Sequence, residues 1–264
     1  MYISLFFTAT FSFFILIVLI SYKFKEILLN HASKILIGIF MLAYFSILRW
    51  VPNIKDFINN ENPSSISISR TFLLDLCPAM FVALSLVLVF DFKNKLLPYF
   101  SVAAFICGFI TYIFVPITES YVVKDSSSLL DYKYLFIGTD ANKMYFMMHY
   151  QLMLFGFIYF ILTPKFKLIT LFNISTGLFI YMLYVIFISR LYNVTQNATG
   201  LVEFDWSEYG EYSVLGSKFG NNIWLNSFIY IIVFSILCLL IRISIYPIIF
   251  TKKSILLKKE LKKI

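Results

Sequence analysis

Residues 72–90 read FLLDLCPAMFVALSLVLVF, with one aspartate, one cysteine and one proline near the start and then twelve residues, 79–90, without a charge. A helix needs about 20 predominantly apolar residues to cross a hydrocarbon core of roughly 30 Å, and these 19 come close to that length. Six further runs of the same kind follow along the chain, near Ile3 to Ser21, Ile35 to Trp50, Leu96 to Val115, Met144 to Thr163, Leu168 to Ser189 and Ile223 to Phe250. The pattern predicts an all-α fold, a polytopic membrane helical bundle of about seven transmembrane helices.

Composition agrees. The 264 residues are 60% hydrophobic and 14% charged, with a mean hydropathy of +0.85, whereas ordinary soluble domains hold about 45–50% apolar and about 25% charged residues. No separate soluble domain fits: residues 1–250 form one transmembrane helical domain and residues 251–264 a basic cytoplasmic tail. The first run has no basic segment before it and no small-residue cleavage site after it, so it reads as a span and not as a cleaved signal peptide.

The net charge of +8 does not point to nucleic acid, because Lys252, Lys253, Lys258, Lys259, Lys262 and Lys263 crowd the tail. Basic residues just past a final span are drawn to the anionic inner leaflet by about 1 kcal/mol each, or simply fix the topology. The odd connections hold Lys23, Lys25, Lys34, Lys93, Lys95, Lys165 and Lys167, and with the tail make 13 cations against the acids Glu26, Asp91 and Glu260. The even connections hold eight cations and ten acids. Positive residues stay inside, so the expectation is a multi-pass protein of the cell membrane, N-terminus outside and C-terminus cytoplasmic. Lysine, Ile, Phe and Asn abundance suggests an A+T-rich bacterial genome. The sequons at Asn193 and Asn197 are chance matches in such a source.

Three cysteines, Cys77, Cys107 and Cys238, lie in apolar runs with no C-x-x-C spacing, which argues against a disulfide framework and against zinc. No P-loop, H-E-x-x-H or G-x-S-x-G occurs, so ATP hydrolysis and metal chemistry are poor matches and no cofactor is expected.

Polar groups inside spans are costly and point to function, and here they gather at the outer ends: Arg49, Asp75, Cys77, His149, Arg190 and Asn226. Pro78 suits the first turn of a helix, where its missing N–H would have no partner anyway. Asp75 is then the N-cap, and Cys77 sits where the positive helix end favours a thiolate. With the imidazole of His149 at similar depth, the two compose a nucleophile and base; the plain alternative is a buried small cysteine and a satisfied histidine. Arg49 and Arg190 suit a phosphate group, unless each only snorkels to the interface. His31, between lysines, reads as interfacial, and Glu203 to Glu208 as solvated loop acids.

Leu74-Asp75-Leu76-Cys77-Pro78 opening a span, Gly108 eight residues before Pro116, and Met148-His149-Tyr150 in the following span resemble the YwaF-like bacterial membrane proteins, relatives of the transmembrane protein 164 acyltransferases. Arg190-Leu191-Tyr192-Asn193 is similar to a later motif of that family. Asp75, Thr111 and Val115 depart from its pattern. The resemblance implies a helical bundle with a Cys77/His149 active site moving acyl chains between phospholipids, and a substrate-binding role for Asn193. Two function classes stand on this reading. One is a lipid acyltransferase or acyl hydrolase with Cys77 and His149 catalytic and Arg49, Asp75, Arg190 and Asn193 at the substrate. The other is a transporter or a solute- or lipid-binding component without catalytic activity. The expected partners are membrane phospholipids or acyl lipids, with anionic inner-leaflet lipids at the tail.

Overall fold

The computed structural model describes residues 2–122, 144–163, 169–194, 228–229 and 231–244, and these are helical with short turns and no strand among them. Residues 123–143 and 195–227, which hold most of the fourth and sixth connections including Glu203 to Glu208, and the basic tail lie outside the described residues. In chain order the helices are α1 (Tyr2–Lys23), α2 (Lys25–Leu29), α3 (His31–Phe45), α4 (Val51–Asn59), α5 (Ser65–Thr71), α6 (Leu76–Phe90), α7 (Leu97–Val122), α8 (Met144–Leu162), α9 (Ile169–Leu191) and α10 (Ile231–Ser244).

Among the described residues, four stretches are long and apolar enough to cross a membrane: Ser4–Lys23, His31–Asn59, Ser67–Phe90 and Phe172–Leu191. Three shorter apolar helices accompany them, Leu97–Ile113, Met148–Leu162 and Ile231–Ser244. Their outward faces are bare hydrocarbon, with Leu36, Ile47, Phe172 and Phe187 more than 60% exposed. Water would not tolerate so broad an apolar surface. The protein is therefore a membrane protein.

In lipid, apolar side chains gain little by meeting each other, and helices associate through close backbone packing and interhelical hydrogen bonds. Both occur here. α7 and α8 form the most extensive helix pair, and α6 packs on α7, α3 on α6, and α1 on the far side of α7 and α8. Gly108 of α7 lies against the backbone of His149 and Met153 of α8, and Gly156 of α8 against the backbone of Ser101 and Phe105 of α7. A Cβ at either glycine would fall within 2.4–2.5 Å of a backbone nitrogen, so these two positions set the distance between the helices. Phenol groups clamp the neighbours. Tyr150 donates to the Thr10 carbonyl (3.1 Å), Tyr112 to the Thr10 hydroxyl, and Tyr181 of α9 to the Leu73 carbonyl (3.0 Å).

The second apolar run extends further than hydropathy predicts. α3 passes through a π-helical turn, Ser46–Trp50, into α4 without breaking. Pro52 lacks the N–H that Leu48 would receive in an α-helix; the wider turn absorbs this, the Val51 N–H reaching back to the Ser46 carbonyl. The second connection is also ordered. Trp50 donates to the Thr71 carbonyl (2.9 Å), Thr71 to that of Asn53 (3.1 Å), and Phe57, Phe72 and Tyr192 pack ring against ring. α4 and α5 thus pack on each other at one end of the bundle.

At the opposite end the short turn after α6 is built on Asp91, whose carboxylate accepts the N–H groups of Lys95, Leu96 and Leu97 at 2.7–2.9 Å. Lys34, counted among the cations of the first inner connection, is 1% exposed. Its ammonium donates to the Asp91 carbonyl (2.9 Å) and to Asn94 Oδ1 (2.6 Å). Burying a cation is tolerable only with such donors satisfied, and Lys34 thereby pins α3 to the α6–α7 turn. His31 packs on the ring of Phe92.

Candidate functional site

α6 starts where Pro78 predicts. Asp75 occupies the N-cap with extended backbone, and its carbonyl accepts from the Ala79 N–H (3.1 Å). Its side chain, however, makes no capping bond. The carboxylate instead accepts from the Ser69 hydroxyl (3.1 Å) and pairs with Arg49 at 3.9 Å. A guanidinium attracts a carboxylate more strongly than an N-terminal amide does, which explains the departure from simple capping.

Arg49 lies in the π-helical turn and is 4% exposed. Asn53 donates to its carbonyl (2.5 Å). On its other side its Nη1 approaches Met148 Sδ at 3.9 Å. Arg49 therefore bridges the residue two before Cys77 to the residue before His149.

Cys77, in the first turn of α6, is half-buried. Its sulfur stands 3.3 Å from the Thr111 hydroxyl and 3.7 Å from the Cys107 carbonyl, both on α7. The His149 side chain, 1% exposed on α8, lies near enough to the same thiol to act on it electrostatically. The two helices are brought together by α7, with Gly108, next to Cys107, letting the backbone of His149 approach.

Arg49, Asp75, Cys77 and His149 thus gather at the end of the bundle where α4 and α5 meet. Arg190 and Asn193 are exposed at the end of α9, and the Arg49 guanidinium faces inward toward Asp75 and Met148. Asn193 has positive φ (51°), a turn role open to asparagine. Asn226 lies outside the described residues. Cys107 and Thr111 were not singled out from sequence as partners of Cys77, although their spacing of four places both on one face of α7. No group of three or more His, Cys, Asp or Glu among the described residues is arranged to hold a metal ion.

The model of a family of unknown function, DUF5378, matches residues 9–264, and the chain belongs to that family. An uncharacterized protein, MG135, of Mycoplasma genitalium is 32% identical over 160 residues, covering 58% of this chain and 53% of its own length. Its homolog in Mycoplasma pneumoniae, also uncharacterized, is 31% identical over 164 residues, 60% of this chain and 54% of that one. The chain spans about half the length of these relatives, and no solved structure matches it. These findings overturn the resemblance to the YwaF-like and transmembrane protein 164 families. The shared features have more general causes: proline in a first helical turn is common to many helices, and Gly108 is explained by the α7–α8 contact.

Proposed function

We propose that this DUF5378 protein is a cell-membrane protein of about seven spans, N-terminus outside and C-terminus cytoplasmic, in which Cys77 and His149 act as nucleophile and general base on an acyl ester of a membrane lipid. The observation that carries the reading is the placing of the Cys77 sulfur in the first turn of α6, 3.3 Å from the Thr111 hydroxyl, with the buried His149 imidazole of α8 within electrostatic reach. A cysteine beside a base is an activated nucleophile, and a helix N-terminus favours the thiolate.

The chemistry needs no further cofactor. His149 takes the thiol proton, the sulfur attacks the ester carbonyl, and the bond to the alcohol oxygen breaks as His149 returns the proton to the leaving lysolipid. Water or a second lysolipid hydroxyl, deprotonated by His149, then attacks the thioester and frees Cys77. General base assistance of this kind contributes about 10² to 10⁴ in rate. Arg49 is a positioning residue, since its guanidinium is taken up by Asp75 and Met148 and holds α6 and α8 in register. Arg190, exposed in the last turn of α9, and Asn193, exposed just after it, are the residues that meet head groups in this reading. The orientation rests on the excess of lysines in the odd connections and tail.

Purified protein in lipid nanodiscs, offered a panel of phospholipids and read by intact mass, tests this. Wild type gains an acyl adduct that neutral hydroxylamine removes, Cys77→Ala gains none, and His149→Ala turns over no substrate. Lipid retained without adduct or turnover would refute acyl transfer and favour the non-catalytic binding component.

A further inference from the structure

The Cys77 sulfur makes two polar contacts with α7, and they differ in kind. It stands 3.7 Å from the Cys107 carbonyl, which can only accept, and 3.3 Å from the Thr111 hydroxyl, which can donate or accept. Cys107 and Thr111 are four residues apart within α7 and share one face of it, so the sulfur lies across a single helical turn. A thiol has one proton to give. Given to the Cys107 carbonyl, it leaves the sulfur lone pairs to the Thr111 O–H. Both Cys77 and Thr111 are half-buried, which puts their contact at the edge of the core.

We propose that Thr111 is a third catalytic residue of this site, its hydroxyl donating to the Cys77 thiolate and orienting it for attack. The inference rests on the reading of Cys77 as the nucleophile. Once the thiol has lost its proton it has nothing to offer the Cys107 carbonyl, whose oxygen then faces a negative sulfur and disfavours it. The Thr111 O–H is the group on α7 that reverses this, because a hydroxyl donates to an ionised acceptor more strongly than to a neutral one. In the attacking step His149 takes the S–H proton and the sulfur forms its bond to the ester carbon. Thr111 keeps its own proton throughout and forms no covalent bond. As the negative charge passes from the sulfur to the ester carbonyl oxygen, the hydrogen bond from Thr111 weakens. Thr111 therefore acts on the thiolate and not on the thioester.

The size of the effect follows from the same chemistry. A hydrogen bond to a charged group changes the thiolate fraction by roughly ten- to a hundredfold. A sulfur freed of that bond is the stronger nucleophile, which returns about half of the loss on a logarithmic scale. Removing the Thr111 hydroxyl therefore slows attack by Cys77 about three- to tenfold. Cys107 takes part through its backbone carbonyl, so its side chain can be replaced without removing that contact.

The test uses the full-length protein in nanodiscs with Cys107→Ala and Cys238→Ala, so that Cys77 is its sole cysteine, and follows alkylation by iodoacetamide at neutral pH by intact mass. Thr111→Val keeps the shape of the side chain and loses the hydroxyl; Thr111→Ser keeps the hydroxyl and loses a methyl group. The expected result is alkylation about three- to tenfold slower in Thr111→Val and restored to within about twofold of the parent in Thr111→Ser, at equal thermal midpoints. Equal rates in the parent and Thr111→Val, or a Thr111→Ser protein as slow as Thr111→Val, would overturn the role, the second showing that the methyl group and not the hydroxyl matters. Should Thr111→Val not fold, Thr111→Ala against Thr111→Ser isolates the hydroxyl, with the same outcomes. Slow alkylation of Thr111→Val in a protein whose parent forms no acyl adduct supports the hydroxyl and removes acyl transfer. An acyl adduct that forms on Cys77 equally fast with and without the hydroxyl removes Thr111 and leaves the acyl reading standing.

Discussion

Replacing Gly108 by alanine adds one methyl group at the point where α7 meets α8. That carbon would lie 2.4 Å from the Met153 nitrogen, 2.7 Å from the His149 carbonyl oxygen and 2.8 Å from the Met153 Cα, whereas ordinary van der Waals contact begins at 3.4 Å. All three atoms are backbone, so no side chain can swing away, and the helices must part by about 1 Å. Overpacking of this kind costs about 1–3 kcal/mol, and a displacement of about 1 Å at a reacting pair lowers rate by roughly 10²-fold. Two readouts separate the effects. The thermal midpoint in nanodiscs reports the packing cost. Spontaneous disulfide formation between Cys77 and a cysteine at position 149, in His149→Cys with Cys107→Ala and Cys238→Ala, reports the spacing of α6 and α8. Gly108→Ala lowers both. Gly177→Ala, with nothing within 4 Å of the added carbon, leaves crosslinking unchanged and gains up to about 1 kcal/mol of helix propensity. A Gly108→Ala protein with unchanged midpoint and crosslinking would refute the account of how α7 positions the pair.

Arg49→Ala strands the Asp75 carboxylate. With a 3.9 Å separation and Asp75 17% exposed, the loss is about 1–3 kcal/mol, less than the about 3–5 of a fully buried pair; denaturation of Arg49→Ala and of Arg49→Ala/Asp75→Asn checks it, the second recovering part of the loss. Burial raises the Asp91 carboxyl, but the N–H groups of Leu97, Lys95 and Leu96 and the Lys34 ammonium more than offset this and hold it below its usual value. Its stabilisation is therefore present above about pH 4 and lost as the pH falls through the folded value. Midpoints measured down to pH 2 fall more steeply for wild type than for Asp91→Asn. The topology predicts that an impermeant thiol reagent on intact cells labels Ser127→Cys and spares Ser254→Cys in a cysteine-free protein, and the reverse pattern overturns it.

How far the sequence reveals this molecule depends on the range of the interaction concerned. Runs of apolar residues and the Asp75–Pro78 helix start are local, and they foretell where α6 begins. The π-helical turn has a local cause in Pro52, but its effect, turning Arg49 toward Asp75 and Met148, depends on helices far apart in sequence. Lys34 shows the same limit. Charge counting places it among the cations of an inner connection, while its burial follows from a turn 57 residues away that offers it a carbonyl. Cys107 looked like another small residue in an apolar run, because its importance comes only from the helix facing it. The short motifs around Cys77 and His149 suggested the wrong family for a related reason: helix-start chemistry and close helix packing recur across unrelated membrane proteins.

The rate at which a small alkylating reagent modifies Cys77, measured at neutral pH in nanodiscs with Cys107→Ala and Cys238→Ala, tests the central claim most directly, since it needs no knowledge of the substrate. The nearness of thiol and imidazole predicts rapid modification that slows at least about tenfold in His149→Ala, within the usual range of general base assistance, while Arg190→Ala leaves it unchanged. Equal rates with and without the imidazole, in proteins of equal thermal midpoint, would contradict the claim that His149 activates Cys77.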